Sequence, residues 1–181
     1  GQVVNLGTIN AKSAYLIGRD VLNAGQITSS NGSIGLVAAS DVRVSFDEAG
    51  LLTATIVADD VLGTVTNTGT LDAGELGRID LKASASEDIV ASTIKNDTTS
   101  ASALISENGV VKLVNSSGKI KGKSVSLTAE PNGGVSVSGI LSADNTSDTG
   151  GLVTITGKEV TLEAGALITA TGYYGGGKVL I

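Results

Sequence analysis

Near its C-terminus the chain carries a glycine-rich stretch that ends in lysine, GYYGGGK (Gly172–Lys178). Such a loop can cradle a phosphate, but that chemistry needs a following helix whose N-terminus faces the anion. Here a short apolar run, KVLI, follows instead. The stretch therefore predicts a turn between two strands. Its Tyr173 and Tyr174 could stack on a sugar, dock a partner, or cover a neighbouring turn of the chain.

Pairs of adjacent acidic residues are the other candidates for chemistry: Asp47–Glu48, Asp59–Asp60 and Glu87–Asp88. Two carboxylates that face one groove can cleave a glycosidic bond, and acidic loops can hold Ca²⁺. Neighbouring residues on a strand point to opposite faces, which opposes a shared site. The chain also has no His and no Cys, so the commonest general base and the thiolate nucleophile are missing. We predict a solvated surface here, with no catalytic residue, no metal site and no cofactor.

The composition favours strands over helices. The chain has 181 residues, with 25 Gly and one Pro, and its only aromatic residues are Tyr15, Phe46, Tyr173 and Tyr174. Val, Ile, Leu, Ala, Thr and Ser dominate the remainder, and β-branched residues suit a pleated sheet. The net charge of -6 argues against nucleic acid and anionic membranes as partners. No apolar run approaches the roughly 20 residues of a membrane span.

An internal repeat organises these residues. Segments of the form Gly-x-(Ile/Leu)-x-small recur along the chain, with apolar anchors at Ile9, Ile27, Leu52, Leu71, Ile120, Leu141 and Leu167. With Ile94 taken as a missing anchor, the mean spacing is about 23 residues, which is typical of a solenoid. A second strand type follows, with apolar residues at Ile34, Ile79, Val125, Val153 and Val179. A third type begins at Asp41, Gly134 and Glu159.

Stacked coils explain the repeat, because successive coils lie about 4.8 Å apart and equivalent positions must hold equivalent residues. Asn5, Asn23 and Asn67 occupy matching points, where they form either an outward site or, as we favour, an inward ladder of stacked amides. In each repeat, or round, a segment joins the first strand type to the second. AGELG and DNTSDTGG are this segment in two other rounds, and GYYGGGK is this segment in the last. We predict an all-β solenoid of about eight coils that spans residues 1–181 as a single segment. A departure from the pattern is expected at about 86–109.

The ordered segments VNLGTINA, AYLIGRDVLNAGQI, VTNTGTLDA, GRIDLKA, VSVSGILSAD and GGLVTITGKEVTLEAGALITATG strongly resemble filamentous-haemagglutinin-like proteins. These are the exoproteins of bacterial two-partner secretion, often described as haemagglutination-activity domains. The resemblance covers nearly the whole chain and is weakest between Ser86 and Asn108. It implies a right-handed parallel β-helix that is exported through a dedicated outer-membrane transporter and acts as an adhesin. The Asn-Pro-rich motif that opens the family's secretion signal is absent here.

We therefore expect a non-enzymatic shaft or adhesive segment of a large extracellular or surface-displayed bacterial exoprotein. Its expected partners are the outer-membrane transporter and a glycan or protein on a host or neighbouring cell. Two alternatives stay open. One is a lyase or hydrolase that acts on polysaccharides, since that fold also hosts such enzymes. The other is a self-assembling surface or filament component, because both termini interrupt the repeat, which suggests an excerpt of a longer protein with exposed end coils.

Overall fold

The computed structural model of the protein describes residues 1–39, 41–48, 50–58, 63–84, 93–96, 105–107, 110–112 and 119–181. These residues form strands joined by turns and loops, and they contain no helix. None of them accordingly belongs to a helix long and apolar enough to cross a membrane. The strands are β1 (Gln2–Asn5), β2 (Thr8–Asn10), β3 (Ser13–Gly18), β4 (Asp20–Asn23), β5 (Gln26–Thr28), β6 (Ser33–Ala38), β7 (Asp41–Phe46), β8 (Leu52–Ala58), β9 (Thr64–Asn67), β10 (Thr70–Asp72), β11 (Arg78–Ser84), β12 (Thr93–Asn96), β13 (Ile105–Glu107), β14 (Val110–Lys112), β15 (Lys119–Lys121), β16 (Ser124–Val137), β17 (Ile140–Ser142), β18 (Leu152–Leu162), β19 (Leu167–Thr169) and β20 (Lys178–Leu180).

Most of these strands belong to three ladders of parallel strands. Ladder 1 contains β1, β4, β9, β12 and the C-terminal parts of β16 and β18. Ladder 2 contains β2, β5, β10, β15, β17 and β19. Ladder 3 contains β3, β6, β11, the N-terminal parts of β16 and β18, and β20. The predicted parallel stacking of the strands is confirmed.

The chain visits the ladders in a fixed order. It runs through ladders 1, 2 and 3 in turn from β1 to β6, and it keeps this order from β9 to β12 and from β15 to β20. Within the described residues, the strands outside the order are two antiparallel pairs, β7 with β8 and β13 with β14. Parallel neighbours in a ladder cannot be joined by a tight hairpin. Each return to a ladder is therefore made through the other two.

In-register columns of aliphatic side chains form the core. In ladder 2, Ile27, Leu71, Ile120 and Leu141 lie directly opposite one another and are fully buried. A matching column in ladder 3 consists of Ile34, Ile79, Val125, Val153 and Val179. One buried cluster includes residues of all three ladders. Each fully buried aliphatic side chain contributes on the order of 1.5–3 kcal/mol, so the columns hold the ladders together.

A column of asparagines in ladder 1 crosses the same interior. Asn5 Nδ2 donates to Asn23 Oδ1 at 2.7 Å, and Asn23 Nδ2 donates to Asn67 Oδ1 at 2.7 Å. Asn23 and Asn67 are fully buried, and Asn5 is nearly so. A buried amide is costly unless its donors and acceptors are used. Stacking each amide on the next meets this requirement and confirms the inward ladder.

Three predicted anchors of the Gly-x-(Ile/Leu) pattern are wrong. Leu52 lies in β8, which pairs antiparallel with β7, and Ile94 pairs with Val65 and Val135 in ladder 1. Leu167 is half exposed, and Ile168 takes its place opposite Leu141. One extra residue before the strand shifts the register, and a shift of one turns each side chain to the other face. The prediction of about eight coils counted Leu52 and Ile94, whereas each ladder has six strands among the described residues.

The third strand type is confirmed at Gly134 and Glu159, which are partners in ladder 1, and is wrong at Asp41. Asp41 begins β7 of the antiparallel hairpin, which alternates with the same period of two as a ladder strand. In the departure predicted at about 86–109, β12 belongs to ladder 1, and β13 pairs with β14. The remaining residues, 86–92, 97–104 and 108–109, lie outside the described part of the chain.

Candidate functional site in the stacked loops

Three of the connections from ladder 2 to ladder 3 have five or more residues: 73–77, 143–151 and 170–177. We call them the loop stack. In the round between the first two loops, only Gly122 and Lys123 connect β15 to β16. Because that connection is short, the loop 143–151 reaches past it to the loop 73–77. Asn145 Nδ2 donates to Glu75 O at 3.1 Å, and Thr146 Oγ1 donates to the Glu75 carboxylate at 2.9 Å.

Asp144 joins the last two rounds. Its carboxylate accepts hydrogen bonds from Ser142 Oγ at 2.8 Å, Thr169 Oγ1 at 2.7 Å, Thr171 N at 2.6 Å and Thr171 Oγ1 at 2.8 Å. Partial burial opposes the charge of Asp144, but these donors outweigh it and lower the pKa of Asp144 to about 2. The ionised carboxylate therefore joins β19 and the loop after it to the preceding round, which contains β17.

Asn145 shapes the loop from within. Its buried side-chain oxygen accepts hydrogen bonds from Ser147 N at 2.9 Å and Asp148 N at 2.8 Å. An Asn side chain that binds the backbone two or three residues later mimics a turn. The same residue pairs with the next loop, since Asn145 N donates to Thr171 O and Tyr173 N donates to Asn145 O. The loops 143–151 and 170–177 are thus stacked backbone on backbone.

The glycines of GYYGGGK permit this close stacking. A Cβ atom on Gly172 would lie 2.1 Å from Gly150 N and 2.3 Å from Gly175 O, closer than any real contact. Both obstacles are backbone atoms, which a side-chain rotation cannot remove. The turn predicted between β19 and β20 is confirmed, and its Gly172 and Gly177 are the glycines that pack on the backbone of the loop 143–151.

Tyr173 and Tyr174 project from this fixed backbone. Tyr173 N donates to Asp148 O at 2.8 Å, so the chain is held at the base of both side chains. Each side chain is 74% exposed, and the rings meet edge to face with centroids 4.8 Å apart. Tyr173 and Tyr174, the two predicted contact residues, are therefore both exposed to solvent on the same loop.

Two ion pairs involve residues of the loop stack. Lys123 Nζ lies 3.4 Å from Asp148 Oδ2 and donates to Thr149 O at 2.7 Å, and Lys121 Nζ lies 3.8 Å from Glu75 Oε1. The backbone N–H of Thr149, followed by Lys123, lowers the pKa of Asp148. Hydrogen bonds from Thr146 lower the pKa of Glu75. These carboxylates are held ionised at the surface of the corner.

An antiparallel hairpin covers the outer face of ladder 3. The hairpin of β7 and β8 lies over this face, where Val37, Ala39 and Ala54 form a small separate core. The Tyr15 ring fills the space above Gly35, since a Cβ there would lie 2.2 Å from Tyr15 Cε1. Tyr15 OH donates to Leu52 O at 2.7 Å. Burial raises the pKa of Tyr15.

Basic side chains fasten the same hairpin from its edge. Arg78 NH1 lies 3.2 Å from Asp47 Oδ2, and Arg78 NH2 donates to Leu52 O at 3.1 Å. Lys82 Nζ donates to Ala54 O at 2.8 Å. Of the predicted acidic pairs, Asp47 thus has a structural partner and Glu48 follows it in the hairpin turn. The pairs Asp59–Asp60 and Glu87–Asp88 lie outside the described residues.

Sequence reasoning missed Glu75, Asp144 and Arg78 as organising residues. The signal for Asp144 was present, because SADNTSDT supplies acidic residues at this corner and ITATG supplies two Thr hydroxyls. Across the described residues, no three His, Cys, Asp or Glu side chains gather where they could hold a metal ion. Comparison with protein-family models, curated proteins and solved structures found no match to this chain.

Proposed function

We propose that this chain is a shaft segment of a right-handed parallel β-helix in an extracellular bacterial adhesin that is exported by two-partner secretion. The observation that carries the proposal is the fixed order of the three ladders, kept through six strands of each. Parallel connections within a sheet are right-handed in nearly all proteins, which supports the hand of the coil. The resemblance of the repeat to filamentous-haemagglutinin-like exoproteins supports the class of protein.

The interior supports a role as a stiff rod. Its columns contain residues of one kind over several rounds, as in the aliphatic column of Ile27, Leu71, Ile120 and Leu141. Each round contacts its neighbours in sequence, so coils can be added one at a time as an unfolded chain emerges from a transporter. The chain has no cysteine that could cross-link before export.

The loop stack supports a role in contact. Its hydrogen bonds and ion pairs fix the backbone of three loops, although the parallel ladders need only a two-residue connection at this corner, as Gly122 and Lys123 demonstrate. Surface loops held by a rigid scaffold commonly carry binding residues. We assign adhesive contact to this corner and support of the shaft to the ladders.

Export and adhesion can be tested separately. The chain is placed behind a two-partner secretion signal in cells with and without the cognate transporter, and surface exposure is measured by protease accessibility. Beads coated with the purified chain are then applied to epithelial cells and to bacterial lawns, with heat-unfolded chain as the control. We expect transporter-dependent exposure and adhesion of the folded chain alone. Retention inside the cell together with equal adhesion of both bead types would refute the proposal.

A further inference from the structure

We propose that Tyr173 and Tyr174 form the binding site for a neutral glycan at the loop stack, an inference that rests on the proposed adhesive function. The two rings stand at 86° to each other with centroids 4.8 Å apart. The edge of one ring therefore packs on a face of the other, and the remaining ring faces stay open to solvent. A pyranose has an apolar C–H face and a rim of hydroxyl groups, and this corner offers both kinds of complement.

The pair takes no part in the described core. Both side chains are 74% exposed, whereas Tyr15, the other tyrosine, lies under the hairpin and donates to Leu52 O. The interior of the described ladders is filled by aliphatic residues without them. Tyrosine offers a large amphipathic contact area with only two side-chain torsions to fix, which suits it to a binding surface.

The backbone below the rings is fixed before any ligand arrives. Tyr173 N is held by Asp148 O at 2.8 Å, and Gly172 packs directly on Gly150. The Asp144 carboxylate binds Thr169 and Thr171 immediately before the tyrosines. A surface that is already ordered loses little conformational entropy on binding.

Hydrogen-bonding groups adjoin the rings. The side chain of Asp148 is 56% exposed, and its backbone oxygen accepts from Tyr173 N; its carboxylate binds Lys123 Nζ and Thr149 N and keeps lone pairs for further donors. Carboxylate oxygens accept hydrogen bonds from sugar hydroxyls, and the phenolic hydroxyls both donate and accept. An apolar platform with a few polar groups converging on it is typical of a small-molecule site.

The charges favour a neutral sugar over an anionic one. Beside the loop stack, Lys123 is paired with Asp148, and Lys121 is paired with Glu75. Asp144 adds a further negative charge, and the whole chain carries -6. The exposed Lys178 follows the loop, so the case against a sialylated or sulfated glycan rests on the net charge of the whole chain.

The test uses the purified chain and an array of neutral oligosaccharides that end in glucose, galactose, mannose or N-acetylglucosamine, with sialylated and sulfated versions beside them. Positive probes are then titrated while tyrosine fluorescence is followed, which is feasible because the chain has no Trp. We expect at least one neutral probe to bind. Tyr173→Ala and Tyr174→Ala should each weaken it about five- to tenfold, in line with the strength of aromatic contacts.

Phe46→Ala is the matched control, since Phe46 is 73% exposed on the hairpin, which contacts Arg78 of β11, and three strand spacings separate β11 from β20. Its affinity should equal that of the unchanged chain, and Tyr173→Phe should retain most of the binding because the ring remains. Thermal melts verify that each variant is folded. Failure of every neutral probe, preference for the anionic probes, or equal binding by the alanine variants would overturn the proposal. So would a cell-surface ligand that protease destroys and glycosidase spares.

The glycan site and the adhesive function fail in different ways. If coated beads adhere to cells and the Tyr173→Ala and Tyr174→Ala variants adhere equally well, the glycan site is wrong and the adhesin stands. If the array is positive and the beads do not adhere, the glycan site is right and the adhesive function is wrong.

Discussion

The hairpin of β7 and β8 and the loop stack are both additions to the ladders, but they are attached by different forces. The hairpin encloses apolar side chains, with Val37 fully buried and Ala54 nearly so, and its polar contacts lie around that small core. The loop stack is attached through carboxylates, amides and backbone groups, chiefly those of Asp144 and Asn145. The difference indicates that the hairpin covers a sheet face, whereas the loop stack displays side chains to solvent.

The largest expected effect comes from crowding the core under the hairpin. Ala54→Ile adds three carbon atoms at a position that is 1% exposed, and overpacking of this kind costs roughly 2–3 kcal/mol. The hairpin should detach while the ladders remain. Hydrogen exchange at 41–58 measures the effect. Thr55→Ile is the control, because Thr55 is exposed on the opposite face of the same strand, and its exchange should stay unchanged. Equal exchange in both variants would contradict an apolar attachment.

The next effect comes from forcing the stacked loops apart. In Gly172→Ala the new methyl group meets the backbone of Gly150 and Gly175, and we expect a loss of about 2 kcal/mol in local stability. Gly176→Ala is a close control, since a Cβ there meets nothing nearer than Ala170 O at 3.8 Å. Amide exchange across 170–177 should rise in the first variant alone. A rise in both variants would mean that chain flexibility, and not backbone contact, explains the glycines.

A smaller effect follows from removing the carboxylate that joins the last two rounds. Asp144→Ala leaves Ser142, Thr169 and Thr171 without their acceptor, at a cost of roughly 1–2 kcal/mol after allowance for solvent exposure. The pKa of Asp144 is lowered to about 2 in the folded chain, so its contribution is complete above the ordinary pKa of about 4. It is lost as the pH falls from there towards 2.

Exchange or NMR line widths at 170–177, followed from pH 5 to pH 2, measure this dependence. The loop should loosen on acidification in the unchanged chain, whereas Asp144→Ala should already be loose at pH 5 and change less. The apolar core of the hairpin should respond less over the same range. A loop stack that is unaffected by acid would contradict its polar attachment.

The smallest effect is expected from Tyr15→Phe. The variant loses one hydrogen bond to Leu52 O, but that oxygen also accepts from Ser33 Oγ at 3.0 Å and Arg78 NH2 at 3.1 Å. The cost should therefore be below about 1 kcal/mol by urea unfolding. A cost of several kcal/mol would mean that the hydroxyl, and not the ring over Gly35, is what holds the hairpin in place.

Much of the ladder structure could be predicted from the sequence, because strands that stack in register carry similar residues at equivalent positions. Ile27 and Leu71 are 44 residues apart and still occupy opposite positions, and Asn5, Asn23 and Asn67 stack as their common spacing from Gly indicates. Leu52 was misplaced because an antiparallel hairpin alternates with the same period of two. Periodicity alone does not distinguish these two environments.

The site was less predictable, because its contacts depend on distances between rounds. Tyr173 and Tyr174 were found from residue type alone, as aromatics in a glycine-rich turn. The contact of Glu75 with Thr146 joins residues 71 positions apart and exists only because the connection between β15 and β16 is short. Arg78 finds Asp47 through the hairpin, which was not predicted. Such contacts depend on the relative lengths of loops in neighbouring rounds, which the repeat pattern does not specify.

Pulsed electron resonance between spin labels on ladder 2 tests the stacking of rounds most directly. The chain has no native Cys, so Thr8→Cys with Leu167→Cys gives a clean pair, and Gln26→Cys with Leu167→Cys gives a second pair one round shorter. Five strand spacings separate the first pair and four separate the second, so their backbones lie about 24 Å and about 19 Å apart. We predict narrow distributions that differ by one strand spacing of about 4.8 Å. Broad distributions, or a second pair no closer than the first, would contradict the stacking.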